Sequence, residues 1–224
     1  MSPGFVVAIV GAESTGKTTL ANGLACSLDR PDRRAVAVGE VLREFCDRAQ
    51  RTPRREEQAG IAAEQTLRIE AAAASHAIVI ADTTALMTAV YSEWVFGDAS
   101  LHADAARDHR RCALTLLTAL DLAWTPDGLQ REGPQVREPI DARVREALQR
   151  AGVAYAVVGG NGAARLQSAL RAVEHAIGRS TTVITALPVA EPATPIAPGW
   201  TSLCERCGDP DCERRLLARP AAGE

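Results

Sequence analysis

The chain has 224 residues, of which 46% are hydrophobic but only 4% aromatic, so alanine and valine must supply much of the packing. A formal net charge of −3 gives no global attraction to nucleic acid or to an anionic membrane. The longest apolar runs are strand-length, which excludes a membrane-spanning helix, and the length suits one α/β domain with something appended.

In chain order, Phe5–Val10 is a short apolar run rich in valine and isoleucine, as a buried parallel strand requires. No basic region precedes it, and it leads directly into a glycine loop. It is therefore read as the first strand rather than a signal peptide, and a cytoplasmic location is expected. The loop Gly11-Ala12-Glu13-Ser14-Thr15-Gly16-Lys17-Thr18 has the G-x-x-x-x-G-K-T spacing of the phosphate-binding P-loop. Lys17 is the only lysine among 25 basic residues. Chemistry accounts for the exception, because a compact ammonium on a flexible stem reaches β- and γ-phosphates where the planar fork of arginine does not fit. Leu20, Leu24 and Leu28 then recur at helical spacing. Strand, loop and helix N-terminus thus arrive in the order that cradles an anion on backbone N–H groups. ATP is the expected ligand, with Gly11 through Thr19 as its binding segment and the Thr18 hydroxyl on Mg2+.

Arg34–Gly39 reads as a second strand ending at Glu40, and Val41–Arg48 starts a helix. Glu40 lies on the ligand edge of the sheet, as a substrate contact or general base, or else as an N-cap-like surface acid. Arg43 follows within one turn as a substrate contact. Arg51–Glu57 is a charged loop broken by proline, and Gln58–Ser75 is an alanine-rich long helix that carries Gln65 and Glu70. His76–Asp82 is a third strand ending on an acid. Asp82 can hold Mg2+ or take a proton, or simply cap the helix that follows Thr83 and Thr84. Asp82 and Glu40 compete for the base role, and both stay open.

Helices are expected over Ala85–Trp94 and His102–Arg111, with a fourth strand at Leu114–Thr118. Tyr91, Trp94 and Phe96 either stack on a substrate ring or fill the core. Trp124, past the fourth strand, is better placed for stacking. The polar, glycine-containing segment Asp127–Arg137 reads as a lid. Its Arg131 and Arg137 either close over the phosphates and stabilise transition-state charge or are incidental arginines of a solvated loop. Asp127 is counted with Glu40, Arg43, Tyr91, Trp94 and Trp124 among the substrate contacts. Helices at Ile140–Ala151 and Ala163–Ile177, around a fifth strand at Ala154–Val158, complete the alternation. The fold class is therefore α/β of the P-loop NTPase type, a parallel five-stranded sheet flanked by helices with right-handed crossovers.

The domain is expected over residues 1–179, followed by a Pro/Ala/Thr-rich linker over 180–203 and a small cysteine-bearing tail over 204–224. Cys204, Cys207 and Cys212 give C-x2-C-x4-C, a knuckle that suits zinc ahead of an iron–sulfur cluster, with Asp209, Asp211, Glu213 or a thiol or histidine of the main body as the fourth ligand. Free thiols in an unstructured tail are the alternative. Acids interspersed with Arg206, Arg214 and Arg215 argue against nucleic acid.

With these residues in place, the chain resembles the ribosylnicotinamide kinase domain of NadR-type proteins and their stand-alone P-loop relatives. The likeness runs from Phe5 to about Ile177. It rests on the P-loop, on Glu40-Val41-Leu42-Arg43-Glu44-Phe45, and on Asp121 and Trp124 before Asp127-Gly128 and the arginines 131 and 137. The resemblance implies a nucleoside-kinase-like fold and MgATP-dependent phosphorylation of the ribose 5′-hydroxyl of nicotinamide riboside, a small-molecule substrate. Val41 departs from the aromatic of the family at that place. The P-loop begins within the first dozen residues, so the adenylyltransferase and repressor roles of NadR-type proteins are not expected here. The linker and cysteines support an alternative, a regulatory P-loop ATPase working through a protein partner or a homo-oligomer.

Overall fold

A computed structural model describes residues 3–125 and 133–185, with residues 180–185 given by their backbone alone. Five strands alternate with helices: β1 Phe5–Val10, α1 Lys17–Leu28, β2 Ala35–Val38, α2 Val41–Ala49, α3 Gln58–Ser75, β3 Ile78–Asp82, α4 Ala85–Phe96, α5 His102–His109, β4 Leu114–Thr118, α6 Arg137–Ala151, β5 Ala156–Val158 and α7 Gly162–Thr185. All pairings are parallel, in the order β2-β3-β1-β4-β5. The connection leaving β1 runs toward β2, whereas the one leaving β4 runs toward β5. Beside β1 the chain therefore opens the crevice in which ligands of open α/β sheets sit, at the carboxyl ends of the strands.

The sheet is covered on both faces, which explains why its strands lack polar alternation. Val7 and Ile9 of β1, with Ile78, Ile80 and Leu116, pack against Leu20, Leu24 and Leu28 of α1 and Ala169 and Val173 of α7. The neighbouring residues on the same strands face the opposite way. Val10 and Leu117 meet Leu86, Val90, Ile140 and Leu148 of α4 and α6. Val6, Val79 and Ala81 meet Ile69 and Ala73 of α3. Leu24 is wholly buried, so truncating a side chain of this kind costs about 2–5 kcal/mol.

The expected fold class holds, with shifted edges. β2, β3 and β5 are shorter than their apolar runs suggest. α6 begins at Arg137, which takes that arginine out of any loop and makes it the first residue of a helix. α7 continues to Thr185, so the segment whose composition marked a linker from residue 180 begins as the last turns of a helix. No proline interrupts before Pro188, and Ser180, Thr181 and Thr182 are only mildly unfavourable in a helix. Among the described residues, no helix is long and apolar enough to cross a membrane.

Candidate functional site

The glycine loop leaves β1 in a conformation that its sequence makes affordable. Gly11 has φ 146°, and a Cβ there would run into the Thr118 hydroxyl. Gly16, at φ 74°, is the N-cap position of α1. Ser14 also adopts a positive φ of 52°. Side chains lock the loop from behind. The Thr15 hydroxyl donates to the Ala12 carbonyl at 2.8 Å and lies 2.7 Å from the Thr118 hydroxyl, which itself donates to the Val10 carbonyl at 3.2 Å. The Lys17 ammonium donates to the Ala12 carbonyl at 2.8 Å, lying back over the loop. Glu13 is buried, and the Tyr91 hydroxyl donates to it at 3.4 Å.

A cleft of about 330 Å³ opens over this loop, lined by residues 14 to 19, Arg43, Leu122, Ala123 and Thr125. Thr18 and Thr19 are exposed in the first turn of α1. The far wall is the segment after β4, tied to the loop by the Thr125 N–H donating to the Ser14 hydroxyl at 2.9 Å. Arg137 supports that wall, its Nη1 donating to the Leu122 carbonyl at 2.8 Å.

Asp82 pairs in register with Ile9 at the C-terminal end of β3, one strand away from the P-loop. It is 3% exposed, and among the described residues its Oδ1 has no hydrogen-bond partner. The cap of α4 is Thr84, whose hydroxyl accepts from the Leu86 N–H at 3.3 Å, so Asp82 is not spent on capping. Between them Thr83 stands at φ 77°, a left-handed conformation that costs a β-branched residue on the order of 1–3 kcal/mol. Such strain clusters at functional sites. Buried polar atoms are rarely left unpaired without a reason. Here the Thr83 hydroxyl, Nε and Nη2 of Arg137, and Nε1 of Trp124 join Asp82 in lacking partners among the described residues.

Glu40 occupies the N-cap position of α2 without using its side chain as a cap, and Arg43 Nε stands 3.6 Å from its carboxylate. The turn that presents it is pinned by Gln65, which is 1% exposed. Gln65 accepts from the Val41 N–H at 2.9 Å and donates to the Gly39 carbonyl at 3.2 Å. Gln65 therefore holds the turn from α3, while Glu70 pairs with Arg111 elsewhere. Trp94 packs with the α4–α6 cluster, and the Arg143 guanidinium lies 5.0 Å from its ring centroid. Asp127, Arg131, Cys204, Cys207 and Cys212 lie outside the described residues. Among the described residues no group of three or more His, Cys, Asp or Glu is placed to hold a metal, and Cys26, Cys46 and Cys112 are free thiols.

Arg165 of α7 was not singled out in the sequence, where it is one arginine among many. It is 4% exposed and donates to the Thr15 carbonyl at 2.7 Å, to the Gly160 carbonyl at 2.9 Å and to Asp121 at 2.8 Å. Asp121 also accepts from the Gly160 N–H. Desolvation works to raise the Asp121 carboxyl, but the hydrogen bonds from Arg165 and Gly160 outweigh it and hold it below the usual carboxylate range.

A parallel sheet with this loop at the crevice beside β1 defines a P-loop NTPase fold. The family described as an AAA domain matches residues 6–165, and the chain belongs to it. Among solved structures, the NadR protein in complex with NR is 22% identical, with a TM-score of 0.62, covering 78% of this chain and 51% of that one. The NadR protein in complex with NAD and AMP-PNP is similar at 22% identity and a TM-score of 0.61, covering 78% and 50%. The chain thus spans about half the length of the NadR structures it matches. Deoxyadenosine kinase from M. mycoides, with products bound, is 11% identical with a TM-score of 0.53, covering 76% and 99%. No curated protein matches the chain.

Proposed function

We propose that the chain is an ATP-dependent kinase acting on a nucleoside, with the ribose 5′-hydroxyl of nicotinamide riboside as its foremost acceptor. One observation carries this reading: the buried Asp82 carboxylate, with an unpartnered oxygen, stands one strand from a P-loop at the carboxyl edge of the sheet. The likeness of fold to NadR and the Glu40–Phe45 and Asp121–Trp124 sequence elements support the choice of acceptor.

Phosphoryl transfer asks a protein mainly for positioning and charge. Loop N–H groups and Lys17 hold the β- and γ-phosphates, which requires the ammonium to leave the Ala12 carbonyl. Thr18 and Asp82 would hold Mg2+, which supplies positive charge against the phosphates; an exposed hydroxyl and an unpartnered carboxylate oxygen fit such a hard cation. The acceptor oxygen bonds to the γ-phosphorus as the bond from that phosphorus to the bridging oxygen breaks, and ADP leaves. The hydroxyl proton passes to a carboxylate, Glu40 or Asp82. Arg137 brings unpaired donors to the same edge, and Arg43 and Trp124 contact the acceptor.

The test is ATP consumption by purified protein with Mg2+, with and without a nucleoside panel that includes nicotinamide riboside. A phosphorylated riboside that disappears in Lys17→Ala is the expected result. Slow Lys17-dependent hydrolysis that no nucleoside stimulates would sink the kinase reading. It would favour a regulatory ATPase acting through a protein partner.

A further inference from the structure

We infer that Arg165 is a positioning residue for the phosphate cradle, holding the Thr15–Gly16 peptide so that its N–H faces the triphosphate. The inference rests on the nucleotide-binding half of the proposed function and not on the identity of the acceptor.

The argument begins with one carbonyl. Arg165 Nη2 donates to the Thr15 oxygen at 2.7 Å, although the two residues lie 150 positions apart. In a trans peptide the C=O and the following N–H point in opposite directions, and no cis bond occurs among the described residues. Drawing the Thr15 oxygen toward α7 therefore turns the Gly16 N–H to the other side, where Gly16 and Lys17 line the cleft. The glycine at φ 74° permits this rotation and does not enforce it, because glycine adopts many conformations with similar ease. A flexible loop needs an external restraint to present its donors before ligand arrives, and preorganised donors bind more tightly for that reason.

The chemistry of the restraint fits arginine specifically. Nη1 is shared between Asp121 Oδ1 at 2.8 Å and the Gly160 carbonyl at 2.9 Å, while Nη2 serves Thr15. A planar fork addresses these acceptors in fixed directions, which a single ammonium cannot do. Asp121 compensates the buried charge and accepts from the Gly160 N–H, so the turn from β5 into α7 is fastened at the same point. Thr15 is meanwhile held on its side chain by Ala12 and Thr118. Carbonyl and hydroxyl of one loop residue are thus both anchored, one to α7 and the other to Ala12 of the loop itself and to Thr118 of β4.

The experiment compares wild type with Arg165→Lys, Arg165→Met and Asp121→Asn in the full chain. Binding of inorganic tripolyphosphate and of ADP is measured by calorimetry well below each melting midpoint, alongside KM for ATP and for whichever acceptor the wild type uses. Arg165→Lys is expected to fold with a melting temperature close to wild type, to bind tripolyphosphate and ADP at least tenfold more weakly, and to raise KM for ATP while KM for the acceptor stays within twofold. Asp121→Asn should follow in the same direction with a smaller loss. Tripolyphosphate affinity within twofold of wild type in both Arg165→Lys and Arg165→Met would overturn the inference. So would equal losses for ATP and acceptor in step with the fall in melting temperature, the signature of a merely structural role. If wild type phosphorylates no nucleoside, the kinase reading fails by itself, and the tripolyphosphate comparison still decides the role of Arg165.

Discussion

Two hollows in this molecule teach opposite lessons. The larger, about 410 Å³, lies between α3 and α5 against the start of β1, lined by Val6, Ile69, Ala73, Ala85, His109 and Cys112 among others. The smaller, about 330 Å³, lies over the P-loop. In the first, the polar groups already have partners. His109 is bonded on both ring nitrogens, to Thr84 at 2.8 Å and to Thr115 at 3.0 Å, and Glu70 pairs with Arg111. Beside the second, Trp124 next to its wall, Arg137 bonded to that wall, and Asp82 and Thr83 at the end of the adjacent strand keep buried polar atoms without partners among the described residues. The proposed chemistry uses the smaller hollow, beside polar groups left unpaired, and not the roomier one whose polar groups are already paired.

Replacing residues at the two places should separate activity from stability. The largest effect is expected for Lys17→Ala, which removes a charge from the phosphates and should lower ATP turnover by about 10²–10³-fold while the melting temperature barely moves. Next comes Asp82→Asn. A turnover loss on the order of 10²-fold with stability unchanged or raised would place Asp82 in the chemistry. A destabilised and still active variant would return it to the core.

The paired hollow should answer through pH. Burial pushes His109 down to about 4, below the ordinary value of 6.5, so the unfolded chain binds the extra proton between those values. Stability from this group is complete above pH 6.5 and is lost as pH falls through 4, by about 3 kcal/mol in all. Urea denaturation at pH 7 and pH 4.5 should show that loss in wild type, beyond any loss in His109→Gln, with turnover at pH 7 similar in both. The smallest effect is expected for Gln65→Ala, which strands the Val41 N–H and the Gly39 carbonyl. A stability cost of about 1–3 kcal/mol, together with a raised acceptor KM, would show that the Glu40 turn depends on α3.

Much of the architecture was legible from the chain. The apolar runs read at Phe5–Val10 and Leu114–Thr118 are strands with the same bounds, the run read at His76–Asp82 is a strand from Ile78, and the alanine-rich stretch from Gln58 to Ser75 is a helix with both boundaries as read. Edges failed where local propensity is weak. Ser180 to Thr185 looked like linker by composition but continues α7, because nothing before Pro188 ends a helix. Arg137 looked like a loop residue, yet it opens α6 and is buried.

By itself the sequence determined the anion cradle, since Gly11, Gly16 and Lys17 satisfy local demands of backbone conformation and charge that a spacing of eight residues encodes. It also determined the two-sided burial of the sheet, through strands without polar alternation. Only the tertiary structure decided which polar residues are spent and which are spare. Thr84 takes the cap and frees Asp82, Gln65 fastens the Glu40 turn from another helix, and Arg165 reaches across 150 residues to one carbonyl. Those partnerships join residues far apart in the chain, and a hydrogen bond between distant segments leaves no period or spacing in a single sequence.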